Sequence, residues 1–264
     1  MTFKIMQWNG SFDGPWSEDA ERKYREGSFN GLSVTGSSDW NPANLDFVLS
    51  LDGIRSFNVR AQVQQDLAAF MVPSLEELAL ATGSSRRIPH ATQAELRQLV
   101  VMNRPGLEVA AHWPALESLR IGSWRGDDLR FLRGASELRS FYSEGKRQSG
   151  TLEGIEECLS LSELVSVNYS ISQTRPLREL EMISEIRLMA APPTRPHGII
   201  DLVDLAGPEL KKLWISNASG FQNIDALTGA EKLREVRLIK CNLTESDMLV
   251  LGSLPNWVRV DIEA

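Results

Sequence analysis

Leu233-Arg-Glu-Val236-Arg-Leu238-Ile-Lys-Cys241-Asn-Leu243 is the stretch that decides the fold. Its core, apolar-x-x-apolar-x-apolar, recurs along the chain. Upstream it reads Leu210-Lys-Lys-Leu213-Trp-Ile215, Ile183-Ser-Glu-Ile186-Arg-Leu188 and Leu164-Val-Ser-Val167-Asn-Tyr169. Further back stand Leu138-Arg-Ser-Phe141, with Ser143 at the sixth place, then Leu116-Glu-Ser-Leu119-Arg-Ile121 and Leu96-Arg-Gln-Leu99-Val-Val101. Leu75-Glu-Glu-Leu78-Ala-Leu80 and Ile54-Arg-Ser-Phe57-Asn-Val59 open the series, and Trp257-Val-Arg-Val260-Asp-Ile262 closes it. Phe29-Asn-Gly-Leu32-Ser-Val34 reads as a diverged earlier copy.

First places run from 54 to 257, nine intervals averaging about 22.6 residues. At 42% apolar residues, three chosen places are all apolar about 7% of the time, so ten near-regular copies need a cause. Stacked repeats supply one, because a unit that cannot bury both its faces must pack on a neighbour. Alternation across the fourth and sixth places predicts a short strand, with the residues between them facing solvent. Second apolar clusters at helical spacing lie between the strands: Leu45/Val48/Leu49, Leu67/Phe70/Met71, Leu129/Leu132, Ile155/Leu159, Ile200/Val203/Leu205, Ile224/Leu227 and Met248/Leu251. Thr244-Glu-Ser-Asp247 reads as a helix start.

The phrase at 233–243 matches L-x-x-L-x-L-x-x-N/C-x-L throughout, and the chain resembles the leucine-rich repeat family from about residue 50 to 264. Its short, irregular units are most similar to bacterial repeats of the internalin kind. The resemblance implies an α/β solenoid: a horseshoe with a parallel concave sheet of about 10–11 strands and short helices or 3-10 turns on the convex side. Residues 1–50 are expected to form an N-terminal capping segment that includes the diverged first repeat, and 51–264 the repeat domain. Within the cap, Phe3-Lys-Ile-Met-Gln-Trp8 alternates like a strand, and Ser17–Glu26 reads as a helix with Ser17 as N-cap and Gly27 as its stop.

The catalytic inventory is sparse. No nucleophile elbow, P-loop or dinucleotide fingerprint occurs. His90, His112 and His197 fall in separate inter-strand segments, and no His/Cys/Asp set has metal spacing. Cys158 and Cys241 lie repeats apart. Cys241 occupies the repeat's own Asn/Cys place, and Cys158 sits among core residues. The carboxylate pairs Asp127-Asp128 and Glu156-Glu157 are adjacent, and neighbouring side chains diverge. The reading is a non-enzymatic protein without catalytic, cofactor or metal residues.

Thirty-five acids against 28 Lys and Arg give a formal charge of −7, which disfavours general nucleic-acid binding. Two cysteines exclude a disulfide scaffold. The N-terminal ten residues carry no long apolar run and no cleavage pattern, and the expectation is a cytoplasmic chain, monomeric on its own.

Function is expected on the outward strand positions. The ladder between the two inward side chains reads Asn58, Ala79, Val100, Arg120, Tyr142, Asn168, Arg187, Trp214, Arg237, Asp261. Val100, Met102, Arg120, Tyr142, Arg187, Met189, Trp214, Arg237 and Ile239 form the candidate partner-binding set, because Tyr, Trp and Arg are the types enriched at interface hot spots. Three insertions, Gly83–His90, Glu144–Thr151 and Ala190–Gly198, each follow a strand and carry basic residues, and are expected as rim loops that join the binding face. The function so read is a protein–protein interaction module. An inhibitor or immunity-type protein neutralising a basic enzyme such as a nuclease is the narrower alternative. A nucleic-acid or phospholigand binder using Arg120, Arg187 and Arg237 ranks lower.

Overall fold

The computed structural model describes residues 9–12, 16–27, 29–36, 41–90, 93–190 and 195–263. The chain divides into two compact units, residues 1–121 and 122–264.

In unit 1 five strands lie side by side in chain order: β1 (Asn9–Phe12), β2 (Gly31–Thr35), β3 (Ser56–Arg60), β4 (Glu77–Leu80) and β5 (Gln98–Met102). All are parallel. Leu32 aligns with Phe57, Phe57 with Leu78 and Leu78 with Leu99, so the fourth place of each phrase stacks on the next, as periodicity predicts. These four side chains have at most 1% of their surface exposed. The expected strand at 3–8 lies outside the described residues.

Ahead of the repeats, α1 (Glu18–Glu26) starts where Ser17 accepts a hydrogen bond from the Ala20 N–H at 3.2 Å. Although α1 reads as polar all round, it buries Ala20 and Tyr24. Trp16 stacks on Phe47 at 4.8 Å and meets Tyr24 edge-on, so aromatic packing joins this segment to the first repeat. Strand β6 (Ser118–Trp124) spans the division between the units.

In unit 2 the parallel order is β7 (Ser140–Gly150), β8 (Glu163–Ile171), β9 (Glu185–Met189), β11 (Lys212–Ser216), β13 (Glu235–Ile239) and β14 (Arg259–Glu263). The repeat series thus comprises twelve strands among the described residues, beyond the 10–11 expected, and β1 is the addition. Two strands stand outside it: β10 (His197–Asp201) and β12 (Ala218–Gln222) pair with each other in a separate parallel sheet. Sequence periodicity gave no sign of them. Ile200, read as part of a helical cluster, is on β10, and Val203 of the same cluster is exposed.

Between strands the chain makes single 3-10 turns, for example over 46–50, 67–71, 107–112 and 224–229. They are too short for a full apolar face. Val48, Phe70 and Leu227 point in, whereas Leu49 and Met71 face solvent. A regular helix, α2 (Glu245–Ser253), precedes β14 and has the capping box read at Thr244 and Asp247. It buries Leu251 and exposes Met248.

The register corrects one copy of the phrase. Leu164 aligns with Phe141 and Ile186, and Ser166 with Ser143 and Leu188. The repeat is therefore Leu161-Ser-Glu-Leu164-Val-Ser166, three residues earlier than read from sequence. Buried serines occupy the sixth place on both β7 and β8. Tyr169, 1% exposed, belongs to the core beyond them, and its hydroxyl donates to the Gly126 carbonyl at 3.1 Å.

Two of the insertions are also corrected. Residues 144–150 continue β7, with a register shift between Glu144 and Gln148. Gly83–His90 is a loop as expected, with Gly83, Ser85, Arg86, Arg87 and His90 exposed, and it is anchored where Ile88 is fully buried and its N–H donates to the Pro105 carbonyl at 2.9 Å. Of the third insertion, 191–194 lie outside the described residues, and His197 and Gly198 belong to β10.

Candidate partner-binding face

Each strand turns alternate side chains to solvent, so register fixes the site. In unit 1 the outward ladder holds Asn58 aligned with Ala79 and Ala79 with Val100. Val100 and Met102 are half-buried on β5, and Arg120 is exposed on β6. At the row before, Glu77 takes a hydrogen bond from the Ser56 hydroxyl at 3.2 Å, and burial raises its pKa. This face is mild and mostly small-sided.

Unit 2 differs. Its ladder reads Tyr142, Val165, Arg187, Trp214, Arg237, Asp261 from β7 to β14. The register correction replaces Asn168 by Val165, and at the next outward row it places Val167 beside Met189. Sequence reasoning missed both valines. Repeat spacing was the available signal: first places at 138, 161 and 183 are more even than 138, 164 and 183. Val165 is only 5% exposed even though it faces outward, flanked by Tyr142 and Arg187 in register.

Trp214 is the centre of this face. Register sets it between Arg187 and Arg237, whose guanidinium carbons lie 4.4 and 5.6 Å from the indole centroid. Each guanidinium is held from its far side. Arg187 pairs with Glu185, which also has Lys212 Nζ at 3.8 Å. Arg237 pairs with Glu263 at 2.5 Å, and that hydrogen bond raises its pKa. The ion pairs fix two flexible side chains over the ring, where cation–π attraction is worth about 0.5–1 kcal/mol apiece. The indole N–H of Trp214 and the Nε–H of both arginines have no hydrogen-bond acceptor among the described residues. Unmet donors of this kind in a native fold call for an explanation. Met189 and Ile239 are half-buried at the next outward row.

The remaining ionisable residues are dispersed. His90 is exposed, and the side chain of His112 lies outside the described residues. His197 is fully buried: its Nδ1 accepts the Ile171 N–H at 2.9 Å, and desolvation drives its pKa down to about 4. Burial raises Cys158 to about 12 and also raises Cys241, so neither is an activated thiolate. Unit 1 encloses a buried ion pair: Arg104 donates to both carboxylate oxygens of Asp66 at 3.0 and 2.7 Å, with the Thr82 hydroxyl joining the same carboxylate at 2.7 Å. Both charged side chains are 0% exposed, which marks the pair as an internal brace. No helix of the described residues is long and apolar enough to cross a membrane.

No family model matches the sequence, and no curated protein matches it. Solved structures do. An internalin (inlF) from Listeria monocytogenes superposes with a TM-score of 0.74 at 14% identity, over 93% of this chain and 70% of that one. The leucine-rich repeat ectodomain of the receptor kinase GASSHO1/SCHENGEN3 from Arabidopsis thaliana, solved in complex with CASPARIAN STRIP INTEGRITY FACTOR 2, superposes with a TM-score of 0.66 at 11% identity, over 97% of this chain and 32% of that one. With its parallel strand series, inter-strand 3-10 turns and stacked apolar phrase, the chain has the α/β solenoid fold of leucine-rich repeat proteins, similar to that of the internalins.

Proposed function

We propose that this chain is a non-enzymatic binding protein that holds a partner protein on the outward face of unit 2. The observation that carries the reading is the Arg187–Trp214–Arg237 stack, bordered by half-buried Tyr142, Val167, Met189 and Ile239. A rigid aromatic anchor flanked by arginines, on a surface with apolar neighbours, has the composition of an interface hot spot. The strand scaffold is preformed, so docking needs little backbone movement.

A second reading narrows the partner to a basic protein, as an inhibitor of a basic enzyme would meet. It is favoured by the net charge of −7. In this proposal the chain works in the cytoplasm.

Affinity capture from native lysate with mass-spectrometric identification tests the reading, run beside a Tyr142→Ala/Trp214→Ala variant of unchanged circular dichroism. A single stoichiometric protein kept by wild type and lost by the variant is the expected result. Equal retention by both would move the site off this face. Binding that weakens steeply with salt supports the basic partner, and salt-indifferent binding counts against it.

A further inference from the structure

Among the described residues Glu77, on the outward face of unit 1, has no cation paired with it. Register puts Ser56, Glu77 and Gln98 in one outward row, with Asn58 and Ala79 in the next. These five residues border a hollow of about 90 Å³ beside the short side chain of Ala79. Glu77 is half-buried at its wall, and its Oε2 accepts the Ser56 hydroxyl at 3.2 Å.

The cations next to the hollow are committed elsewhere. Arg55, beside Ser56, pairs with Glu76, and Arg97, beside Gln98, pairs with Glu117 at 3.1 Å. Burial raises the Glu77 pKa against the pull of the Ser56 hydroxyl, and the Glu76 carboxylate adds to the rise. A carboxylate withdrawn from water without a counter-charge is costly, and a cation in the hollow would relieve that cost. Asn58 and Gln98 make no side-chain hydrogen bond among the described residues, so their amide oxygens are free to turn toward such a cation.

We propose that this hollow takes a lysine side chain of a partner protein, its ammonium held by Glu77, Asn58 and Gln98. An ammonium carries three N–H donors and no acceptor, and the hollow offers three oxygens: Glu77 Oε1, Asn58 Oδ1 and Gln98 Oε1. Ser56 already occupies the other Glu77 oxygen, so the two-pronged bond that suits a guanidinium is not available, and lysine is preferred over arginine. The methylene stem packs along the Ala79 methyl. At about 90 Å³ the hollow is sized for the end of one side chain, whereas a free metabolite takes about 300–1,000 Å³. The site belongs to unit 1 and needs nothing from the unit 2 face.

Nα-acetyl-lysine methylamide, titrated at neutral pH into the nitrogen-15-labelled 264-residue chain, is the probe that tests the proposal by amide chemical shifts. The amides of Glu77, Ala79 and Gln98 are expected to shift and saturate in the millimolar range. Glu77→Gln, which keeps the side chain's shape, weakens binding about tenfold. The arginine analogue of the probe binds about fivefold more weakly, and the norleucine analogue, which lacks the ammonium, leaves these amides unmoved. Carbon-13 shifts of the Glu77 carboxyl, followed against pH, show it ionising at lower pH when the lysine probe is present. The comparison of the three probes needs wild type alone, so it decides the matter should the variant misfold. Silent amides at these residues, a norleucine analogue that binds as well, undiminished binding by a folded Glu77→Gln, or an unmoved Glu77 titration would each overturn the proposal. Tighter binding of n-butylammonium than of the lysine probe would point to a free amine and overturn the partner's lysine.

Discussion

Unit 1 keeps its strongest polar cluster inside the repeats, and unit 2 carries its own on the outward face. In unit 1, Asp66, Thr82 and Arg104 come from three successive repeats and close on one another with no exposed side-chain surface on the ion pair. Its outward ladder holds Asn58, Ala79 and Val100. In unit 2 the arginines lie over Trp214 on the solvent side. Both units use the same strand phrase and the same inward leucine-type stack. Inward places are set by stacking and tolerate few side chains, whereas outward places are free of that constraint.

The largest effect expected from breaking this contrast is in unit 1. Arg104→Ala leaves the Asp66 carboxylate buried and alone, and costs about 3–5 kcal/mol in denaturant unfolding. Asp66→Ala/Arg104→Met removes both charges and is expected to cost less than Arg104→Ala. Equal losses would show that the contact of Arg104 with Phe70, whose ring centre lies 5.8 Å from the guanidinium carbon, matters more than its charge pairing with Asp66.

Next comes pH in unit 2. Burial holds His197 at about 4 in the folded state, below its ordinary 6.5. The folded state resists the proton that the unfolded chain accepts, so the contribution is full above pH 6.5 and is lost as pH falls from there toward 4. Stability should drop by about 3 kcal/mol across that window. His197→Asn is expected to lower stability at neutral pH while flattening the slope. An unchanged slope would remove His197 as its source.

A smaller effect sharpens the contrast on the outward face. Trp214→Ala is expected to weaken partner binding by about 2 kcal/mol, roughly thirtyfold, while lowering stability by about 1 kcal/mol through lost stacking. Val100→Ala in unit 1, assayed by the same titration, should change binding little. The smallest effect tests the backbone after a strand. Lys240 has φ of +51°, a left-handed conformation that suits glycine. Lys240→Gly should raise stability by about 0.5–1 kcal/mol, and a loss would mean the lysine side chain contributes more than the strain it bears.

The repeat was legible because burial writes it directly. Every fourth-place residue from Leu32 to Val236 that the phrase put inside lies inside, with one exception, and the capping signals at Ser17 and Thr244 are used as read. The exception is instructive. Val167 and Tyr169 imitate the fourth and sixth places better than Leu164 and Ser166 do, because the true sixth place is a serine, buried next to Ser143. A pattern of apolar letters cannot see a buried serine, so it slipped by three and hid Val165 and Val167. Trp214, Arg187 and Arg237 could be placed on one face from the sequence. Their stacking could not, since it depends on Glu185 and Glu263 drawing the guanidiniums into position. β10 and β12 were illegible because His197-Gly-Ile-Ile-Asp and Ala218-Ser-Gly-Phe-Gln carry neither repeat spacing nor clear alternation.

Side-chain oxidative footprinting of the chain, free and bound to the captured partner, tests the central claim most directly, because Trp, Tyr and Met are the most readily labelled side chains on this face. Protection of Trp214, Met189 and Tyr142 on binding, with Met71 and Met182 labelled as before, is the predicted result. Unchanged labelling of Trp214 and Met189 in a saturated complex would contradict it.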